Sequence, residues 1–173
     1  IVLTSTIQSD GKIIIGGSFS QYSGSTANQI ARINTDGTLD TTFDVGSGAN
    51  SYVETLTVQD DGKILIGGDF TQYSGSSVNR IARINTDGTI DTTFDVGSGA
   101  NGRVRTSIIQ DDGKILIGGL FTQYSGSSVN RIARLNTDGT LDTTFTDKLN
   151  DGSIYYFFTI TPRDLLFLKN NSQ

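Results

Sequence analysis

The chain repeats itself every 51 residues, and this repeat constrains the fold more than any other feature. Two spans of the repeat, residues 59–94 and 110–145, differ at only three positions. A diglycine pair marks each copy, at Gly16-Gly17, Gly67-Gly68 and Gly118-Gly119. The sequence therefore predicts three full units, at residues 1–50, 51–101 and 102–152, within a single domain.

A degenerate half-repeat follows at residues 153–173. It keeps a strand–turn–strand pattern but has lost the glycines and most of the polar residues of the full units. Its apolar density predicts a surface covered by other copies of the chain, by neighbouring proteins, or by later residues of a longer protein. The apolar side chains are Tyr155, Tyr156, Phe157, Phe158, Leu165, Leu166, Phe167 and Leu168.

The first half of each unit has the pattern of a β-hairpin. In the second unit, residues 52–58 are rich in β-branched side chains and lead to Asp61-Gly62, a pair that favours a tight turn. Residues 63–70 are the next predicted strand, and the unbroken triplet Ile64-Leu65-Ile66 predicts that both of its faces are covered. The glycines that follow predict a bend or the close approach of another backbone.

The second half of the unit predicts two more strands. Residues 71–79 are small and polar and are predicted as a loop, and residues 80–85 are predicted as the third strand. A second turn at Asp87-Gly88 leads to a short fourth strand at residues 89–94. A Gly-rich connector, residues 95–101, then reaches the next unit; it has no following Lys or helix and is not a phosphate-binding loop.

A four-stranded antiparallel sheet of this size cannot bury both faces alone, so each unit needs neighbours. Repeats of about 50 residues are typical of kelch-type β-propeller blades. A parallel β-helix is the alternative, although its coils are shorter. The predicted fold class is all-β, with β-propeller-type blades. Three and a half units are too few for a closed ring, because propellers have about four blades or more, so we expect them to be part of a larger propeller.

The composition excludes several functions. The chain has no His and no Cys, so it lacks the usual ligands of zinc, haem and iron–sulfur sites and the usual nucleophile triads, and no cofactor is expected. Its net charge of -5, without a basic stripe, argues against nucleic acid as a partner. No apolar run is long enough to span a membrane. The sequence begins inside a predicted strand without Met, and we expect it to be a piece of a longer protein.

The pattern of the units resembles a known repeat family. QDDGKILIGGDF, then RIARINTDGTIDTTF, then the Gly-rich connector are similar to the delta-60 repeat family, and the diglycine strand is similar to kelch blades, with Phe94 in place of the kelch Trp. The resemblance implies a β-propeller-like fold. It also implies a setting in large bacterial secreted or surface proteins or in bacteriophage virions, and no common activity.

Two sets of acidic residues are candidates for chemistry. The segment from Asn85 to Asp91 is similar to part of a calcium loop, but Arg83 stands where a first Asp ligand is expected, and an Asp-Gly hairpin turn is the alternative. The recurring carboxylates Asp40, Asp91 and Asp142, or the unrepeated Glu54, match the paired acids of glycoside hydrolysis only in residue type. Identical copies make a single differentiated active site improbable, so we expect no enzyme.

Two further sets are candidates for binding. Tyrosines in a Ser- and Gly-rich loop, Tyr22, Tyr73 and Tyr124, are suited to stacking on a sugar, or else to packing between blades. The basic residues Lys12, Lys63, Lys114, Arg32, Arg83 and Arg134 are suited to lining an anion-binding channel, or to ion pairs between blades. For these we expect the ion pairs.

The sequence as a whole predicts a non-enzymatic structural and recognition module of an extracellular, cell-surface or virion protein. A bacteriophage tail or fibre component and a bacterial adhesin are the two settings that we expect. The partners would be a surface glycan or a protein, bound through the repeated loops, and other copies or neighbouring virion or surface proteins, bound through the half-repeat. A carbohydrate-active enzyme with its catalytic site on further blades, and a pure spacer, remain alternatives.

Overall fold

The computed structural model describes residues 1–146, so the half-repeat at residues 153–173 lies outside the described residues. Each unit contributes five strands. In the first unit they are β1 (Val2–Ile7), β2 (Ile13–Gly17), β3 (Gln21–Tyr22), β4 (Ser25–Thr26) and β5 (Ile30–Ile33). In the second they are β6 (Val53–Val58), β7 (Ile64–Gly68), β8 (Gln72–Tyr73), β9 (Ser76–Ser77) and β10 (Ile81–Ile84). In the third they are β11 (Val104–Ile109), β12 (Ile115–Gly119), β13 (Gln123–Tyr124), β14 (Ser127–Ser128) and β15 (Ile132–Leu135).

Each unit is a three-stranded antiparallel sheet with a small hairpin attached. The diglycine strand is central, with the orders β1-β2-β5, β6-β7-β10 and β11-β12-β15. The first hairpin turn is the predicted one: Gly62 has a φ of 81° and donates its N–H to Gln59 O at 2.9 Å. The sheets of residues 1–146 form repeated blades that do not close into a ring. The prediction of an all-β, propeller-type fold is confirmed.

Two details of the predicted blade are wrong. The fourth strand is reduced to a single bridge between Ile84 and Ile90, because Asp91 then accepts the N–H of Thr93 and turns the chain out of the sheet. The predicted loop at residues 71–79 contains the two short strands β8 and β9. A Ser-Gly turn with positive φ at both residues, 48° at Ser74 and 79° at Gly75, joins them.

The two glycines of each pair have different roles. A Cβ on Gly67 would lie 2.8 Å from Val104 Cγ1, so this glycine makes room for the next unit. A Cβ on Gly68 would clash with the carbonyl oxygen of Tyr52, at a β-bulge between Val53 and Thr55. The first glycine therefore permits packing between blades, and the second permits the bulge within its own blade.

The hydrophobic core lies mainly between the units. The first strands of the units are neighbours, and β6 contacts β1 on one side and β11 on the other. Phe43 of the first unit packs in one cluster with Ile66 and Tyr73 of the second. The corresponding cluster at the next interface contains Phe94 with residues of the third unit. Much of the apolar surface of a unit is thus buried against its neighbours, as is typical of a repeat architecture, although the first unit also has a cluster of its own that includes Ile15, Ala31 and Ile33.

Candidate functional site

The most concentrated polar group in each unit is an aspartate held by a lysine, an arginine and a threonine. Asp91 Oδ2 lies 2.9 Å from Lys63 Nζ and 2.7 Å from Arg83 Nε. Asp91 Oδ1 accepts the N–H of Thr93 at 3.0 Å and its hydroxyl at 2.6 Å. Both carboxylate oxygens are therefore engaged inside the unit. The side chain of Asp91 is only 4% exposed, which leaves little room for a ligand.

The other described units repeat this cluster, which we call the aspartate hub. Asp40 and Asp142 are each contacted by the lysine, arginine and threonine of their own unit. Burial alone would raise the pKa of Asp91, but hydrogen bonds from Thr93, Lys63 and Arg83 outweigh it and hold the pKa well below its ordinary value of 3.8. The pKa of Asp40 is lowered in the same way. These carboxylates are ionised at neutral pH.

The hub also contacts the next unit, through its arginine. Arg83 Nη1 donates to Thr137 O at 2.8 Å, and Arg32 Nη1 donates to Thr86 O at 2.6 Å. The guanidinium of Arg83 also lies over the ring of Phe94, 4.6 Å from its centroid. The expected ion pairs are therefore present, but they form within each unit. The contact between blades is made by the arginine to a backbone carbonyl, a geometry that residue types alone do not reveal.

The calcium-like segment is built as a turn. Asp87 Oδ1 accepts the N–H of Thr89 at 3.0 Å and its hydroxyl at 2.6 Å, which is the hydrogen bonding of an Asx turn. Asp91, the other acid of the motif, has its oxygens committed to the hub. Within residues 1–146 no group of three or more His, Cys, Asp or Glu side chains is placed to hold a metal ion. The hydrogen bonds favour the turn over a calcium loop.

The repeated tyrosines fasten the small hairpin to the Asp-Gly turn of the same unit. The hydroxyl of Tyr73 donates to Gly88 O at 2.7 Å, and that of Tyr124 donates to Gly139 O at 2.8 Å. Both side chains are fully buried. Burial, together with the nearby Asp44 and Asp87, raises the pKa of Tyr73 above its ordinary range. These contacts favour the packing alternative, because neither ring has a surface open to a sugar.

Tyr22 differs from its two counterparts. It makes the same bond, to Gly37 O at 2.9 Å, but it is only partly buried. Tyr73 and Tyr124 each form an isolated antiparallel β-bridge with an alanine of the preceding connector, Ala49 and Ala100 respectively. Ligand binding by Tyr22 stays a prediction.

Sequence reasoning missed the connector asparagines. Asn50 Oδ1 accepts the N–H groups of Thr71 and Gln72 at 2.8 and 3.0 Å, and its Nδ2 donates to Thr71 Oγ1 at 3.0 Å. Asn101 makes the same three bonds one unit later. Each connector is thereby fastened to the small hairpin of the following unit. The recurrence of Gly-Ala-Asn at the end of two connectors was the available signal.

A comparison with models of protein families finds a family that matches this architecture. A model described as a domain of unknown function (DUF5122) beta-propeller matches the chain three times, at residues 8–43, 59–94 and 110–145. The chain belongs to this family. The matches of the DUF5122 beta-propeller span the aspartate hub and the tyrosine hairpin of every unit. They confirm a β-propeller repeat, and the delta-60 and kelch-like relationships stay predictions.

The search of curated proteins found no match to the chain. In the part of the chain that the structure describes, there is no helix with the length and apolar character needed to cross a membrane.

Proposed function

We propose that this β-propeller repeat domain is a non-enzymatic structural and recognition module. The observation that carries the proposal is that the aspartate hub and the repeated tyrosines of residues 1–146 make their hydrogen bonds inside the scaffold. The aspartate hub joins two strands of one unit and reaches the next, and the tyrosine joins the hairpin to a turn. Side chains whose hydrogen bonds hold the scaffold together in every unit are suited to supporting a binding surface elsewhere on that unit.

The repeated carboxylates support a non-enzymatic role. Glycoside hydrolysis needs two carboxyl groups with different pKa values beside an open substrate site. Asp40, Asp91 and Asp142 instead share one environment in which each is ion-paired and held ionised. A catalytic site on further blades remains the alternative for an enzyme.

The small hairpins are the surface that we propose for recognition. In each unit a glutamine and a Ser-Gly-Ser tip are exposed on a rigid base, and a Cβ added to Gly24, Gly75 or Gly126 would meet nothing within 4 Å. Exposed Ser and Gln side chains can both donate and accept hydrogen bonds, and Ser and Gly are common in adaptable binding loops. Three copies in a fixed array would bind a repetitive partner, such as a surface glycan, with avidity.

The setting that we propose is an extracellular, cell-surface or virion protein, as a bacteriophage tail or fibre component or a bacterial adhesin. Its support is the resemblance of the repeats to those of bacterial surface and virion proteins. The acidic composition and the lack of cysteine are compatible with this setting.

Replacing the three exposed glutamines with alanine tests the recognition surface. The change is Gln21→Ala, Gln72→Ala and Gln123→Ala, and the probe is an array of bacterial surface polysaccharides. We expect the unaltered chain to bind at least one glycan and the triple variant to bind it at least about tenfold more weakly, because avidity multiplies the loss at each copy. The melting temperature should be unchanged.

The matched control alters the opposite, exposed turns at the equivalent positions Ser9, Asp60 and Asp111, each changed to alanine. We expect this control to bind like the unaltered chain. Equal loss in both variants would contradict a site at the small hairpins. If the unaltered chain binds no glycan and no protein partner, the spacer alternative is favoured.

A further inference from the structure

The interface between the second and third units carries a charged cluster that the first interface lacks. Arg103 Nε lies 3.1 Å from Asp69 Oδ2, and Arg103 Nη1 lies 3.8 Å from Glu54 Oε1. Arg105 Nε lies 3.8 Å from Glu54 Oε2. Within the second unit, Arg80 Nε lies 3.6 Å from Asp69 Oδ1. Two acids of the second unit thus face two arginines of the third.

The equivalent positions at the interface between the first and second units hold different side chains. Counting back 51 residues, Leu3 replaces Glu54, Ser18 replaces Asp69 and Gln29 replaces Arg80. On the other side of that interface, Tyr52 and Glu54 take the positions of Arg103 and Arg105. No ion pair joins the first two units within residues 1–146.

A second difference lies beside the charges. Ser107 Oγ is 3.1 Å from Thr55 Oγ1 and 2.8 Å from Thr57 Oγ1, so hydroxyl groups join β11 to β6. The residue equivalent to Ser107 in the second unit is Leu56, which is buried in the apolar cluster between the first two units. At this position the second interface therefore has a hydroxyl group where the first has the apolar side chain of Leu56.

Arg103 also lies over the ring of Tyr52, 5.8 Å from its centroid, but several other contacts between the units recur. Val53 packs over Gly16 as Val104 packs over Gly67. The arginine-to-carbonyl bonds and the asparagine bonds also recur from one interface to the next. Such repeats are prone to exchange units between chains or to pair in the wrong order, because the wrong neighbour offers the same packing.

We propose that the charges of Glu54, Asp69, Arg103 and Arg105 determine the order in which the units pack. The third unit accepts the second because two carboxylates meet its two arginines. It rejects the first because Leu3 and Ser18 would leave those arginines without acidic partners and partly buried. The surface formed by Arg103 and Arg105 is thus a docking surface that fits an anionic blade, here the second unit of the chain.

The chain has no cysteine, so single cysteines can report which units meet. Thr55 and Ser107 have side-chain oxygens 3.1 Å apart, and Thr4 is the equivalent of Thr55 in the first unit. Cysteines that replace Thr55 and Ser107 therefore come close enough for a disulfide when the second unit meets the third. Cysteines that replace Thr4 and Ser107 crosslink only when the first unit takes that place.

In the experiment, mass-tagged Ser107→Cys chains are unfolded and refolded at high concentration with Thr55→Cys chains or with Thr4→Cys chains, and then oxidised. Heterodimers from the first mixture report that the second unit of one chain has packed against the third unit of another, which is the native order. Heterodimers from the second mixture report that the first unit has taken that place, which is the wrong order. We expect the first mixture to give severalfold more heterodimer than the second.

The decisive comparison repeats both mixtures with chains in which the interface between the second and third units carries the residues of the interface between the first and second units. This variant carries Glu54→Leu, Asp69→Ser, Arg80→Gln, Arg103→Tyr and Arg105→Glu, and its fold is checked by circular dichroism. We expect the two heterodimer yields to become nearly equal. The smaller variant Asp69→Ser with Arg103→Tyr provides the same test if the larger one does not fold. Two outcomes would overturn the proposal. In one, the two mixtures differ in heterodimer yield by the same factor with the unaltered and the altered interface. In the other, the two mixtures give equal yields with both interfaces.

Discussion

Replacing Asp91 with alanine is expected to lower the free energy of unfolding by about 3 kcal/mol, because removing one partner of a buried ion pair leaves the other charge uncompensated. The side chain of Asp91 is 4% exposed and that of Arg83 is 10% exposed, so the guanidinium cannot turn freely into water. Lys63 and Thr93 would lose hydrogen bonds as well. Urea unfolding at pH 7, followed by circular dichroism, measures the change.

The control for this variant is Asp60→Ala, the same substitution at an exposed turn position, which we expect to alter stability by less than about 0.5 kcal/mol. A second readout is pH. Because folding lowers the pKa of Asp91, its contribution is complete above about pH 4 and is lost as the pH falls below that value. The Asp91→Ala variant should therefore lose less stability between pH 7 and pH 3 than the unaltered chain. An equal acid loss in both proteins would contradict the role given to the hub.

Replacing Gly68 with alanine is expected to destabilise the chain by about 3 kcal/mol or more. The new Cβ would overlap the carbonyl oxygen of Tyr52, which is backbone and cannot rotate away. The bulge between Val53 and Thr55 would have to open. Val53 would then shift from its place against Gly16 in the first unit. Thermal unfolding, followed by circular dichroism, measures the effect.

The matched control is Gly75→Ala at the tip of the small hairpin. There a Cβ meets nothing, and the only expected cost is about 1 kcal/mol from the left-handed backbone at a φ of 79°. If Gly75→Ala destabilised the chain as much as Gly68→Ala, the effect would come from glycine loss in general. The close approach at the bulge would then not explain why this glycine recurs.

The sequence was sufficient for the fold because the repeat can be read directly from the chain and the turns are local signals. The 51-residue period follows from comparing the copies, and the turn at Asp61-Gly62 and the apolar strand before Gly67 follow from neighbouring residues; the structure confirms all three. The fourth strand was predicted wrongly for a related reason. Residues 89–94 have β-forming composition, but the hydrogen bonds of Asp91 to Thr93 end the strand after one bridge.

The candidate site was less predictable because its contacts join residues far apart in the chain. Lys63 reaches Asp91 across 28 residues, and the Arg83 guanidinium reaches Thr137 across 54. For Tyr73, composition is equally compatible with an exposed binding ring and a buried packing ring. Only the bridge to Ala49 and the bond to Gly88 O distinguish them. The charges that differ between the units were visible in the sequence, but their pairing was not.

Native-state hydrogen exchange, read by NMR, tests most directly whether the connectors hold the units together as one scaffold. Ser74 N–H donates to Gly48 O at 2.8 Å, and Asp95 N–H donates to Asp138 O at 2.7 Å, both across a boundary between units. We predict that these two amides exchange as slowly as the amide of Ile66 in the central strand, through global unfolding, while the exposed Gly75 amide exchanges rapidly. Exchange of Ser74 and Asp95 at the rate of Gly75 would contradict the account, because the units would then open independently.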